Sequence, residues 1–256
     1  MLSETPTVTV PKTANTAPIP ILTYHQIAEA PPKGAPYRSL YVAPRDFARQ
    51  MAFLALLGYR GLSMDDLQPY LRGERHGKVV GITFDDGYVN NLTHALPVLQ
   101  WHGFTSTCYA VSQLVGKTNA WDIPTGIAQV PLMTDAQLQQ WVAGGQRVGA
   151  HTRNHVHLPD ISAELRAQEI ALSRQELEAS AASTVEHFCY PYGDFDVDTV
   201  VAVGDAGFES ATTTRRGRCH AGESMLELPR VPVLRSTTRL VFWLKISTRY
   251  EDRRRV

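Results

Sequence analysis

The sequence predicts a single α/β domain in the form of a distorted (β/α) barrel with about seven parallel strands. Short apolar runs alternate with stretches of helical periodicity along most of the chain, which is typical of βαβ units. With 256 residues, of which 43% are hydrophobic and 20% charged, the chain is also long and apolar enough for one sizeable core. A doubly wound open sheet shows the same alternation and is the alternative fold.

The first half of this alternation follows a segment without periodicity. Residues 1–18 are rich in Thr, Pro and Ala, so we expect an extended tail there, followed by one domain that spans residues 19–256. The predicted elements are then a strand at 21–25, a helix at 44–57, a strand at 79–84, a helix at 91–100 and a strand at 104–111.

The second half continues in the same order. Thr134 and Gln137 fit a capping box at the start of a helix. The predicted elements are a helix at 134–143, a strand at 147–151, a helix at 162–182, a strand beginning at 187, a helix at 196–206, and strands at 209–214 and 228–234. We find no internal repeat and no linker, which favours one domain.

Composition excludes several classes of protein. Lys+Arg and Asp+Glu both number 25, so the chain lacks the basic field of a nucleic-acid binder and we expect no nucleic-acid partner. The three cysteines include no CxxC pair, which indicates neither a disulfide framework nor a cysteine zinc cluster. The first residues lack a basic region followed by an apolar core, so we expect a cytoplasmic protein. A leader that had already been removed would instead place it in the periplasm or outside the cell.

Polar residues follow several of the predicted strands. His25, the pair Asp85 and Asp86, His151 and Tyr192 all come at or just after the carboxyl end of a strand. In parallel α/β folds the chemistry lies at these ends. We therefore expect these side chains to converge on one site.

Two segments could hold a metal ion. TFDDGY (83–88) puts two carboxylates side by side after an apolar run, where unpaired anions are costly and repel each other. Either the Asp-Gly pair forms a solvated turn, or a cation neutralises the carboxylates. GAHTRNHVHLPD contains His151, His155 and His157, and imidazoles with one carboxylate, from Asp85 or Asp86, would form an open zinc site. A polar loop with incidental histidines is the alternative.

Together these segments resemble the polysaccharide deacetylases, or NodB homology domain, which remove acetyl groups from N-acetylglucosamine-type sugars. TFDDGY is similar to the first motif of that family, HTRNH (151–155) to the second and YPYG (190–193) to the third. The resemblance implies that Asp86, His151 and His155 bind a divalent metal while Asp85 is the general base. Zinc suits this ligand set, and cobalt, nickel or manganese are alternatives.

The resemblance also implies roles around the substrate. Tyr88, Pro191 and Thr152 would lie at the substrate groove, with Thr152 orienting its loop or contacting the ligand. The backbone N–H of Tyr192 would help to stabilise the oxyanion that forms during hydrolysis. A plain Pro-Gly turn is the structural alternative for this motif.

The sequence departs from the family pattern in two places. The arginine that pairs with the base aspartate in the family is replaced by Cys189, and Arg230 is our candidate for the missing charge, the alternative being an exposed ion pair. The late histidine that donates a proton in many members is also missing, since no histidine follows His220. His25 in ILTYHQI resembles the Tyr-His motif of the branch that includes exopolysaccharide deacetylases, so we expect it to be the acid. A core histidine is the alternative.

Three hypotheses follow. The first is a metal-dependent deacetylase acting on an N-acetylated glycan or amino-sugar precursor. The second is a hydrolase of another small amide or formamide on the same fold, and the third is a catalytically weak carbohydrate-binding module. The segment LVFWLKISTRYEDRRRV (240–256) mixes aromatic and basic residues, so peripheral membrane contact through this tail is a further hypothesis, against a final helix with a solvated basic end.

Overall fold

The structure is a closed barrel of parallel strands, seen in a computed structural model that describes residues 17–255. Ten strands occur among these residues: β1 (Ile21–Tyr24), β2 (Gln26–Ile27), β3 (Tyr41–Val42), β4 (Arg60–Leu62), β5 (Val79–Phe84), β6 (Thr107–Ala110), β7 (Arg147–Ala150), β8 (His187–Cys189), β9 (Ser210–Arg216) and β10 (Leu228–Pro232).

Seven of these strands form the barrel in the order β1, β10, β9, β8, β7, β6 and β5. Closure comes from β1, which pairs in parallel with β10 on one side and with β5 on the other. The fold is therefore the predicted α/β barrel in one domain. The short strand β4 pairs with the first half of β5, and β1 pairs with the second half of β5.

Helices surround the barrel, and one of them, α2 (Met64–Leu71), lies across its amino-terminal end. They are α1 (Pro44–Leu56), α2 (Met64–Leu71), α3 (Leu96–His102), α4 (Asp135–Ala143), α5 (Ala163–Ala181), α6 (Val197–Asp205) and α7 (Arg239–Ser247). A π-helical turn at 91–95 precedes α3. The predicted capping box is present, because Thr134 and Gln137 exchange hydrogen bonds at the start of α4.

Strand β4 and helix α2 were not predicted from the sequence, and α2 closes the amino-terminal end of the barrel. Met64 and Leu67 of α2 are fully buried and belong to one apolar cluster with Ile21, Tyr109 and Cys189 of the barrel strands. Helix α2 is thus a plug beneath the strands. Its side chains fill the barrel interior from the end opposite to the predicted site.

The carboxyl-terminal segment is anchored to the barrel by ion pairs. Glu251 is fully buried, with its Oε2 accepting a hydrogen bond from Arg216 (2.7 Å) and its Oε1 lying 2.6 Å from Lys245 Nζ. Asp252 pairs with Arg218. The basic and aromatic tail therefore includes acidic residues with a structural role, and its contact with a membrane stays a prediction. Among residues 17–255, no helix has the length and apolar character needed to span a bilayer.

The barrel lies within the predicted domain of residues 19–256, and the bounds of that domain stay a prediction. The predicted extended tail at residues 1–18 falls almost wholly outside the described residues. Within the described part, Ile19 exchanges two backbone hydrogen bonds with Cys219. The described chain is thus attached to the barrel just before β1 begins.

We expect Glu251→Gln to lower the free energy of unfolding by about 3 kcal/mol, because the buried ammonium of Lys245 would lose its counter-charge. Arg253→Gln, an exposed change in the same segment, should stay within about 0.5 kcal/mol of the wild type. Urea unfolding followed by tryptophan fluorescence measures both. Equal stabilities of the two variants would contradict the anchoring role.

The ion pair of Glu251 and Lys245 also makes the stability of the fold depend on pH. Burial raises the pKa of Glu251, but the hydrogen bond from Arg216 and the charge of Lys245 outweigh it, so the pKa lies below its ordinary value of 4.5. A carboxylate with a lowered pKa stabilises the fold at pH values above its ordinary pKa. This stabilisation is lost as the pH falls through the pKa of the folded state. The stability difference between wild type and Glu251→Gln should therefore shrink below about pH 4.5.

Candidate active site

A cavity of about 350 Å³ opens at the carboxyl ends of the barrel strands. Most of the site residues predicted from the sequence line it, namely His25, Asp85, Asp86, Tyr88, His151, His155 and Tyr192. A larger groove of about 710 Å³ lies between α1 and the start of α7 and contains none of them. The expected convergence of polar strand ends is thus present in the structure.

Asp86, His151 and His155 form a compact group that could hold a metal ion. The Nε2 atoms of both histidines lie 3.5 Å from the same oxygen, Oδ1 of Asp86. One donor atom from each residue lies within 4.8 Å of the others, and all three residues are buried. One carboxylate and two imidazoles are a common donor set for zinc.

The protonation of the imidazoles fits a cation at this position. Nδ1 of His151 lies 2.7 Å from the carbonyl oxygen of Cys189, which can only accept, so Nδ1 carries the proton and Nε2 presents its lone pair to the group. Burial lowers the pKa of His155, and the neighbouring charge of His151 adds to this effect although Asp86 opposes it. Burial raises the pKa of Asp86, but the hydrogen bond with His155 and the charges of His25, His155 and His151 outweigh burial and hold the pKa below its usual range.

The loop that carries both histidines is held from behind by α5. Oε2 of the buried Glu169 accepts hydrogen bonds from the backbone N–H groups of Arg153 (2.9 Å) and Asn154 (3.0 Å), and its Oε1 accepts one from the Asn154 side chain (2.6 Å). The hydroxyl of Thr152 accepts from the N–H of His155 (2.9 Å). These contacts determine the direction in which the two imidazoles point.

Backbone strain is concentrated at this site. Six non-glycine residues among the described ones have a positive φ, and five of them are Tyr37, Asp86, Thr152, His155 and Tyr192. Four of these line the cavity, and Thr152 lies between the two histidines. Such conformations cost on the order of 1–3 kcal/mol each and persist where surrounding contacts enforce them, often at functional sites.

Asp85 has a different partner from Asp86. The guanidinium of Arg230 binds both of its oxygens, at 2.7 Å (Nη1 to Oδ1) and 2.8 Å (Nη2 to Oδ2). Arg230 is 2% exposed, and it also donates to the Thr213 carbonyl oxygen. Burial raises the pKa of Asp85, but the charges of Arg230 and His25 outweigh it and hold the pKa below its usual value. The exposed-ion-pair alternative for Arg230 is therefore excluded.

His25 lies on the other side of Asp85, at the end of β1. Its Nε2 is 3.9 Å from Oδ2 of Asp85, and its side chain is one-quarter exposed to the cavity region. This distance is too long for a direct hydrogen bond but leaves the ring facing the same space as the carboxylate. A fully enclosed core histidine would not have this exposure.

Three residues from the predicted site do not line the cavity. Thr152 is fully buried, and Pro191 and Arg230 are buried as well. Of the two roles considered for Thr152, the hydrogen bond to His155 favours orientation of the loop. Pro191 begins the turn that places Tyr192 at the cavity.

Aromatic rings surround the group, and one of them, Trp121, was not predicted from the sequence. Trp121 stacks on His155 with ring centroids 4.3 Å apart, and His157 stacks on Tyr192 at 3.8 Å. His157 does not belong to the ligand group, and its Nδ1 bonds with Asp194 instead (2.6 Å). Trp121 lies in a short 3-10 helix, Ala120–Thr125, in a segment without apolar periodicity, so no sequence signal marks it.

The fold and this arrangement define the class of protein. An Asp-His-His group beside a second, arginine-paired carboxylate, in a cavity at the carboxyl ends of barrel strands, is a candidate hydrolytic centre. Residues 72–211 match the polysaccharide deacetylase family, a segment that contains both aspartates and both histidines. The chain belongs to this family, as its three motifs indicated.

Individual relatives agree with this assignment. YxkH of Bacillus subtilis (strain 168) is 27% identical over 224 residues, which cover 87% of this chain and 74% of the relative. A crystal structure of a polysaccharide deacetylase from Bacillus cereus is 27% identical with a TM-score of 0.77, covering 90% of this chain and 69% of that one. The deacetylase PplD of Streptococcus pyogenes, solved in complex with acetate, shares the fold at a TM-score of 0.79 and 24% identity, over 91% of this chain and 99% of that one.

We expect Arg230→Met to lower the free energy of unfolding by about 3–5 kcal/mol, since the buried carboxylate of Asp85 would lose its counter-charge. In the double variant Asp85→Asn/Arg230→Met no charge is left unpaired, so the loss should be smaller than the sum of the single losses. Chemical denaturation of the four proteins measures this coupling, with the exposed Arg235→Met as control. Additive losses would show that the pair does not act as a unit.

Proposed function

We propose that this chain is a metal-dependent hydrolase that removes N-acetyl groups from amino sugars of a polysaccharide, an oligosaccharide or a glycan precursor. Family membership supports deacetylation of a polysaccharide. The observation that carries the mechanism is the division between two adjacent carboxylates. Asp86 faces two imidazoles, whereas Asp85 is held apart by Arg230.

A divalent metal, zinc or alternatively cobalt, nickel or manganese, would be held by Asp86, His151 and His155. It would lower the pKa of bound water and polarise the amide carbonyl. The fit rests on the donor set and on the tautomer of His151 fixed by the Cys189 carbonyl. Glu169 and Thr152 would keep the two imidazoles aimed at this position.

Asp85 is placed to act as the general base. Each of its oxygens accepts one hydrogen bond from Arg230, which leaves further lone pairs on the same carboxylate. Arg230 keeps the carboxylate ionised and fixes its plane. A proton accepted from water at Oδ2 would be bound to an oxygen that lies 3.9 Å from Nε2 of His25.

His25 is placed to act as the general acid. An amine leaves only after it gains a proton, and an imidazole can be charged before this transfer and neutral after it. The backbone N–H of Tyr192 would stabilise the negative charge that develops on the carbonyl oxygen, and Tyr88 and Pro191 would shape the groove around the sugar. The cavity is at the lower end of the size range of small-molecule sites, about 300–1,000 Å³, which suits one sugar unit.

The proposed base is tested with Asp85→Asn. We expect acetate release from N-acetylglucosamine oligomers to fall by about 10²–10⁴-fold while the metal content stays unchanged, because the amide cannot accept the proton. The exposed change Asp205→Asn serves as control. Release should be measured with each of the four metals over a panel of oligomers, formamides and ring amides.

The outcomes of this panel separate the hypotheses. Hydrolysis of formamides or ring amides without acetate release from any amino sugar would favour the small-amide alternative. Oligosaccharide binding without hydrolysis of any substrate would favour the carbohydrate-binding module. Asp85→Asn with full activity would contradict the mechanism even if the substrate is correct.

The proposed acid is tested with His25→Ala and two kinds of leaving group. Acetate release from an N-acetylated sugar should fall by about 10²–10⁴-fold, since the amine needs a proton to leave. Hydrolysis of 4-nitrophenyl acetate should fall much less, because its leaving group is stable as an anion. The exposed His76→Ala is the control. An equal loss on both substrates would indicate that His25 has a structural role instead.

A further inference from the structure

A second group of metal-binding side chains lies at the opposite end of the barrel. Asp65 stands in the first turn of the plug helix α2, and Glu186 and His187 stand at the start of β8. One donor atom from each of these residues lies within 4.8 Å of the others. Strand β8 then continues to Cys189, whose carbonyl bonds His151, so the two groups occupy opposite ends of one strand.

His187 is the unusual member of this group. It is 1% exposed, and its Nδ1 lies 2.9 Å from the hydroxyl oxygen of Ser210. Its Nε2 has no hydrogen-bond partner among the described residues, although Oδ2 of Asp65 is only 3.4 Å away. A buried ring nitrogen without a partner costs free energy. We therefore expect an ion or atom between this nitrogen and the carboxylates.

The charges around this nitrogen favour a cation. Two carboxylates belong to the group, and the one cation that forms an ion pair with Asp65 among the described residues is Arg147, whose Nε lies 3.7 Å from Oδ1 of Asp65. Asp65 and Glu186 are half-buried, so their side chains can close on an ion and water can complete its coordination. The Ser210 hydroxyl can accept the Nδ1 proton of His187 and thereby present the Nε2 lone pair to the ion.

We propose that Asp65, Glu186 and His187 bind a structural divalent cation, zinc being the best match to one imidazole and two carboxylates. The ion joins the plug helix to the rim of the barrel. Residues at the amino-terminal end of barrel strands serve stability and not catalysis. This site therefore stabilises the closure by α2 and takes no part in the hydrolysis.

The first test counts zinc ions in the full chain. The background variant Asp86→Asn weakens the candidate active-site group, so the zinc that remains after dialysis and elemental mass spectrometry reports on the second site. Adding Asp65→Asn and Glu186→Gln should remove this zinc. Glu74→Gln with Asp205→Asn makes the same change of charge at exposed positions and should retain it. Zinc that is absent from the Asp86→Asn protein, or retained by the Asp65 and Glu186 variant, would overturn the proposal.

The second test needs no change at the proposed ligands. In the Asp86→Asn background, excess zinc should slow amide hydrogen exchange in residues 64–71 and raise the melting temperature by roughly 5–10 °C at about a hundredfold excess over the dissociation constant. If His187 is instead protonated and simply paired with Asp65, zinc will change neither measurement, and the proposal fails. Neither test depends on deacetylase activity, so the second site is judged separately from the proposed function.

The variant Asp65→Asn/Glu186→Gln in an otherwise wild-type chain should keep its deacetylase activity at low temperature and lose it at a lower temperature than the wild type. A structural ion predicts this separation, because the catalytic groups are untouched while the plug is weakened. A large loss of turnover at low temperature, with the fold intact by circular dichroism, would show that the site acts in the reaction and would contradict the structural role.

Discussion

The site depends on keeping two adjacent buried carboxylates charged and separate. Asp85 and Asp86 follow the same strand and are both almost fully buried, so without counter-charges one of them would be protonated. The structure gives each its own partner. Arg230 takes both oxygens of Asp85, while Asp86, in a backbone conformation with φ 76°, faces His151 and His155. The proposed roles of metal ligand for Asp86 and general base for Asp85 both depend on this division.

The separation requires a strained backbone, and the surrounding barrel holds the strain. Thr152 and His155 both have positive φ, which an isolated loop would not maintain. Glu169 accepts from two successive backbone N–H groups between them, and Thr152 closes the turn through its hydroxyl. Glu169 is itself part of the 19-residue helix α5, so the accuracy of the site derives from a long, well-packed element.

Most of the barrel was predictable because its elements have clear periodicity. The predicted bounds of β5 agree with the structure to the residue, and the capping box of α4 is formed by the expected pair. In contrast, β4 has only three residues and contains Gly61, and α2 contains Pro69. Such short elements are defined by their tertiary contacts and carry little local signal. The site residues that belong to sequence motifs could be predicted in the same way. Glu169 and Trp121 could not, because they act through contacts with residues distant in sequence.

The position of the arginine shows how a barrel can move a charge between strands. By resemblance to the family, the arginine that pairs with the base would stand at Cys189 on β8, but here it stands at Arg230 on β10. Side chains from different strands meet in the barrel interior, and Nη2 of Arg230 lies 3.2 Å from Sγ of Cys189. The small thiol leaves room for a guanidinium that enters from two strands away. The buried carboxylate of Asp85 needs a neighbouring cation, and Arg230 can supply it from β10 because side chains of several strands meet in the barrel interior.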